Sequence, residues 1–135
     1  MNLPNGACFI IDDFLDTSLI DEAYNIILND AKQEKEFDSF FIKKEDINPS
    51  GDCISKILHK TWIDNLQIDA DRVLGFEVWN NLMASSHVLY LHVDCDEYTH
   101  QTHNRIVNPL YTSVLYLGPK NGLVGGELAL SLKYT

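Results

Sequence analysis

The chain has 135 residues, 45% hydrophobic and 22% charged, which suits one packed domain and leaves little room for two. Its formal net charge of -10 and sequence pI of about 4.7 argue against nonspecific binding to nucleic acid or to an anionic membrane surface, because both need a basic face. Met1 to Phe9 has no basic start and no sustained apolar run, no stretch approaches a membrane span, and Cys8, Cys53 and Cys95 are odd in number and widely spaced; the expectation is a cytoplasmic chain with reduced thiols and no secretory leader.

Ala7 to Ile11 is a short apolar run that reads as a strand. Ser18 and Asp21 have the spacing of a capping box. Leu19, Ile20, Ala23, Tyr24, Ile27 and Ala31 follow at helical spacing and predict one apolar face. Lys32 to Glu36 is a charged end. Phe37 to Ile42 is an aromatic-rich run of strand character, and Asn48-Pro49-Ser50-Gly51 is a turn signal. Ser50 or Asp52 then caps a second helix carrying Ile54, Ile57, Leu58 and Trp62, and Asp64 to Asp71 reads as a polar connection.

After Asp71 the period changes. Val73 to Trp79, Val88 to Val93, Leu110 to Leu117 and Leu128 to Leu132 are short apolar runs separated by Asn80-Asn81, Asp94 to Pro109 and Gly118 to Gly126. They predict several short strands in an antiparallel sheet or barrel. Helices followed by strands give an α+β class, with a helical support region over residues 1–71 and strands over 72–135, in a single domain. Trp62 and Trp79 are expected to bury apolar area.

The informative stretch is Tyr90-Leu91-His92-Val93-Asp94. Residues two apart on a strand share a face, and at about 3.3 Å per residue His92 and Asp94 lie close enough to converge on one ion. An imidazole and a carboxylate make two thirds of the facial triad that binds non-haem Fe(II) and leaves open positions. Pro109 to Leu117 follows as a second strand with a Tyr116-Leu117 pair, and Gly125-Gly126-Glu127-Leu128 turns into a third.

This order resembles the prolyl 4-hydroxylase-like branch of the Fe(II)/2-oxoglutarate-dependent dioxygenases. Ile10 to Leu15 also looks like that family's approach to its first helix. The resemblance implies a double-stranded β-helix, or jelly roll, with His92 and Asp94 as metal ligands and Fe(II) as the metal. It implies 2-oxoglutarate and O₂ as cosubstrates, with succinate and CO₂ as products, and ascorbate as the reductant that family members often use. Tyr116 matches a strand tyrosine facing the 2-oxoglutarate pocket; a core aromatic is the competing reading. Gly125 and Gly126 serve the backbone. The segment after the motif lies near the substrate entrance in the family, which places His100, His103 or Arg105 within reach of a peptide or small-molecule substrate.

The chain departs from the family's pattern in its later part. The family uses a second histidine on a late strand and then an Arg or Lys for the far carboxylate of 2-oxoglutarate. After Asp94 the histidines are His100 and His103, and beyond Arg105 the basic residues are Lys120 and Lys133. The expectation is a fragment whose sheet is left open after Thr135. The alternative is a non-catalytic β-sheet module that binds a partner or self-associates through that edge.

Other metal readings fare worse. A calcium loop starting at Asp94 would need Gly and Glu where Thr99 and Arg105 stand. His100 and His103 lack the His-Glu-x-x-His pattern of a zinc site and read as a polar loop. His59 and His87 are expected to pack or face solvent.

Overall fold

The structure is a computed structural model that describes residues 8–32, 39–65, 72–82, 88–90, 92–118 and 128. Helix α1 spans Thr17–Lys32. Its start is set by Asp16, one residue before the first helical position. The Asp16 carboxylate accepts from the Leu19 N–H at 2.9 Å and from the Ser18 hydroxyl at 2.6 Å. The cap is therefore Asp16, and Ser18 lies inside the helix as a donor to it. Those two hydrogen bonds, that from Ser18 foremost, hold the Asp16 carboxyl below the usual carboxylate range, and the positive charge of Lys60 adds to them.

The apolar face predicted for α1 forms, though it is narrower than expected. Leu19 and Ala23 are buried, Ile20 and Ile27 are half-buried, and Tyr24 and Ala31 are exposed. Leu15, Leu19 and Ala23 meet Cys53 in one small core, flanked by Phe14, Ile20, Ile26, Ile57 and Leu117. Burial raises the Cys53 thiol pKa. Upstream, Cys8 to Ile11 forms no strand, and Phe9, Ile10 and Ile11 are exposed. An apolar run becomes a strand only where a neighbouring backbone takes up its hydrogen bonds, and none does so among the described residues.

Asn48 to Gly51 forms the expected turn, closed by the Gly51 N–H on the Asn48 carbonyl at 2.9 Å. Of the two candidate caps, Asp52 acts: its side chain accepts from the Ser55 N–H at 2.7 Å. Helix α2 runs over Cys53–Leu58 and continues as π-helical turns over His59–Asn65. The helix thus takes in Asp64 and Asn65, where a polar connection was expected; residues 66–71 lie outside the described set. Trp62, at 7% exposure, joins Leu58 and Phe76 in a second core.

Strands β1 (Phe40–Lys43) and β2 (Gly75–Val78) pair antiparallel, with Phe40 opposite Val78 and Ile42 opposite Phe76. A short 3₁₀ turn, Lys44–Asp46, follows β1. Phe76, Ile42 and Val78 face the second core. On the other face, a β-carbon on Gly75 would lie 2.3 Å from the Ile42 carbonyl oxygen and 2.5 Å from the Phe41 ring, so only glycine fits there. Trp79 lies just past the strand and is 43% exposed, so only Trp62 is a core tryptophan.

The architecture is α+β: helices and a two-stranded antiparallel sheet. Among the described residues Val88 to Tyr90, His92 to Val93 and Leu110 to Leu117 form no strand, and most of their apolar side chains are exposed. Alternation in the sequence sets which side chains share a face, but a strand also needs a partner at the right register. Between these runs lies helix α3, Glu97–His103, in a segment that reads as a loop. The third run, Leu128 to Leu132, lies outside the described residues apart from Leu128, which is exposed, and so do Gly125 and Gly126. Among the described residues no helix is long and apolar enough to cross a membrane.

Candidate metal centre

His92 and Asp94 do converge. His92 Nε2 stands 3.5 Å from Asp94 Oδ1, and the two side chains are 60% and 25% exposed. His92 Nδ1 lies 2.7 Å from the Tyr90 carbonyl oxygen. A carbonyl only accepts, so Nδ1 carries a proton toward Tyr90 and Nε2 is the ring nitrogen that faces Asp94. Metal-bound histidines are commonly oriented by this kind of outer hydrogen bond. With bonds of about 2.1 Å, adjacent donors in an octahedron sit about 3.0 Å apart, so the pair needs to close by only about 0.5 Å to share an ion. Among the described residues no third His, Cys, Asp or Glu donor joins the pair.

Helix α3 follows at once and supplies a second group. Asp96 caps it, accepting from the Thr99 N–H at 2.7 Å and from the Thr99 hydroxyl at 2.9 Å. Asn104 closes it in the left-handed region at φ 48°, which asparagine tolerates better than most residues. Two further bonds seat the helix. The Glu97 N–H donates to the Glu77 carboxylate of β2 at 3.3 Å, and the Asp96 N–H donates to the Val107 carbonyl at 2.8 Å. The second bond closes a loop over residues 96–107, so the chain leaves α3 alongside the stretch by which it entered.

This packing brings Cys95, Glu97 and His100 together, with one ligand atom from each lying within 4.8 Å of the other two. Cys95 Sγ is 3.6 Å from Glu97 Oε1. Desolvation raises the Cys95 thiol pKa most, and the negative charges of Glu97, Glu77 and Asp96 push it the same way.

The remaining predicted residues are less gathered. His103 and Arg105 are exposed at the far end of α3, which is a helix and not the polar loop expected there. Tyr116 is 56% exposed, and among the described residues no hydrogen bond links it to His92 or Asp94. His59 pairs with Asp64 at 3.2 Å. Lys120, Lys133 and His87 lie outside the described residues. An open groove of about 390 Å³ between α1 and α2 is lined by Asp16, Leu19, Pro49, Lys56, His59, Lys60 and Asp64, none of them in either metal-type group.

Helix α3 and its donor group were missed in the sequence, although signals existed. Asp96 followed by Thr99 is a capping pair, Glu97 suits a first turn, and His100, His103 and Asn104 suit a helix end. Once the helix is placed, Glu97 and His100 stand at i and i+3 on one face. No family model, curated protein or solved structure matches the chain.

Proposed function

We propose that the chain carries the first two iron ligands of an Fe(II)- and 2-oxoglutarate-dependent dioxygenase of the prolyl 4-hydroxylase-like kind. The observation that carries this is the convergence of His92 Nε2 and Asp94 Oδ1 at 3.5 Å, with the imidazole oriented by the Tyr90 carbonyl. The donor set, one neutral imidazole and one carboxylate, suits Fe(II). Bound iron with 2-oxoglutarate supplies the oxidation of a substrate C–H bond by O₂, with release of succinate and CO₂.

In this reading the residues hold and orient. His92 offers Nε2 because Nδ1–H is committed to Tyr90, and Asp94 sits half-buried beside it, which limits competing hydration. The bond between the Asp96 N–H and the Val107 carbonyl supports the expected jelly-roll pairing. In this reading His103, the last residue of α3, and Arg105, two residues past it, are exposed and flank the substrate entrance.

The test is 2-oxoglutarate-dependent succinate formation by the protein supplied with Fe(II) and ascorbate. Asp94→Ala is expected to abolish it, and unchanged turnover in that variant refutes the assignment. A second reading, a β-sheet module that self-associates, draws on the exposure of Val88, Leu89, Tyr90, Leu110, Val114 and Leu115. It predicts a concentration-dependent dimer by sedimentation and no succinate under any loading.

A further inference from the structure

We propose that Cys95, Glu97 and His100 form a second cation site of zinc type, distinct in its donors from His92 and Asp94. Three different ligand groups already lie within 4.8 Å of one another. A tetrahedral ion with bonds of about 2.1–2.3 Å spaces its donors about 3.6 Å apart. Cys95 Sγ and Glu97 Oε1 stand at 3.6 Å, so that edge of the tetrahedron is already set. His100 closes the remaining gap by a modest side-chain rotation from the same helix face as Glu97.

The chemistry selects the metal. A thiolate and an imidazole favour a borderline-soft ion over magnesium or calcium, which take oxygen donors. One sulfur, one nitrogen and one carboxylate oxygen match the ligand types that hold Zn²⁺, with a fourth position left for water. The surroundings favour a cation as well, since Glu77 and Asp96 add negative charge around Cys95. On binding, the ion takes the place of the Cys95 proton, which leaves to solvent, and the S–H···O contact to Glu97 becomes shared coordination.

The site also has a structural consequence. Helix α3 has seven residues, well below the length at which a helix stands alone in water. An ion bridging Cys95, just before the helix, to His100, in its last turn, staples it from end to end. Helix α3, which follows the His92–Asp94 pair, is then rigid when zinc is bound and frayed when it is not.

Co²⁺ is the probe, because a thiolate ligand gives it a sulfur-to-metal charge-transfer band in the near ultraviolet. The full 135-residue chain is expected to show this band at one Co²⁺ per chain and to lose it on adding Zn²⁺. Cys95→Ser removes the band. Glu97→Gln and His100→Gln weaken Zn²⁺ binding by more than about 100-fold, since losing even an outer partner of a metal ligand costs about 10- to 100-fold. Cys8→Ser and the double variant His92→Ala/Asp94→Ala keep the band. A band that survives Cys95→Ser, or that disappears in Cys8→Ser, overturns the proposal, as does the absence of any band in the folded wild-type chain. The oxygenase reading is scored separately, by succinate, so either can fail alone.

Discussion

Replacing Trp62 by alanine probes the element on which the second core depends. The indole is 7% exposed and packs on Phe76 at 5.8 Å and on Tyr111 at 5.9 Å between ring centroids. A buried tryptophan covers about 150–250 Å², worth about 4–6 kcal/mol at roughly 25 cal/mol per Å². That figure is an upper bound, because the unfolded chain already hides part of the surface. Large-to-small changes at buried aromatics cost about 3–5 kcal/mol, so about 4 kcal/mol is the expected loss. Small domains have only about 5–15 kcal/mol in total, so the variant sits near the edge of folding. With a urea slope of about 2 kcal/mol per M, the midpoint by far-ultraviolet circular dichroism falls by about 2 M. Trp62→Phe should recover more than half of the loss. A double-mutant cycle with Tyr111→Ala should return a coupling of about 0.5–1.5 kcal/mol. A midpoint shift under about 0.5 M for Trp62→Ala, in a transition of normal steepness, would refute the packing described for this residue.

Three further outcomes are expected. Gly75→Ala drives a β-carbon to 2.3 Å from the Ile42 carbonyl oxygen and should lower unfolding stability by about 1–3 kcal/mol; a neutral result in urea unfolding would count against the β1–β2 register. Asp96→Ala removes two hydrogen bonds at the start of α3, and a cap worth about 1 kcal/mol corresponds to about a fivefold loss of Zn²⁺ affinity, read by competition with a chromophoric chelator. Asp16 has its folded pKa lowered by Ser18 and Leu19, so its contribution is present above the unfolded carboxylate pKa and is lost as pH falls through the folded one. Thermal melts of Asp16→Asn should therefore lie below the wild type at neutral pH and converge with it under acid, and a constant gap across that range would contradict the cap.

Much of the local structure was legible because it is written within a few residues. The turn at Asn48 to Gly51 and the cap of α2 depend on short side chains bonding the nearest backbone; the turn formed as read, and of the two caps offered, Ser50 and Asp52, Asp52 acts. The start of α1 was misplaced by competition of the same kind: Ser18 has the hydroxyl, but Asp16 presents the stronger acceptor to the Leu19 N–H. His92 and Asp94 were legible from their spacing alone, and the structure brings their donor atoms together even though their stretch is not paired as a strand. Helix α3 shows the opposite failure. Its caps were in the sequence, but a run of polar residues without an apolar stripe was read as a loop, because amphipathic periodicity is the stronger signal and α3 buries no face.

The sequence by itself determined what short-range chemistry decides: an amphipathic first helix, capped turns, an α+β class and a His-x-Asp spacing that brings the His92 and Asp94 side chains together. Tertiary structure alone decided which of two tryptophans is buried, since Trp62 finds Phe76 and Tyr111 while Trp79 lies just past the end of β2. It decided that Phe40–Lys43 pairs with Gly75–Val78 across the segment that holds α2, and that Glu77 and Val107 seat α3 so that Cys95, Glu97 and His100 meet. The physical reason is the same in each case. Caps and periodicity act through neighbours along the chain, whereas burial, strand pairing and a three-donor site depend on which distant backbone or ring occupies the facing position.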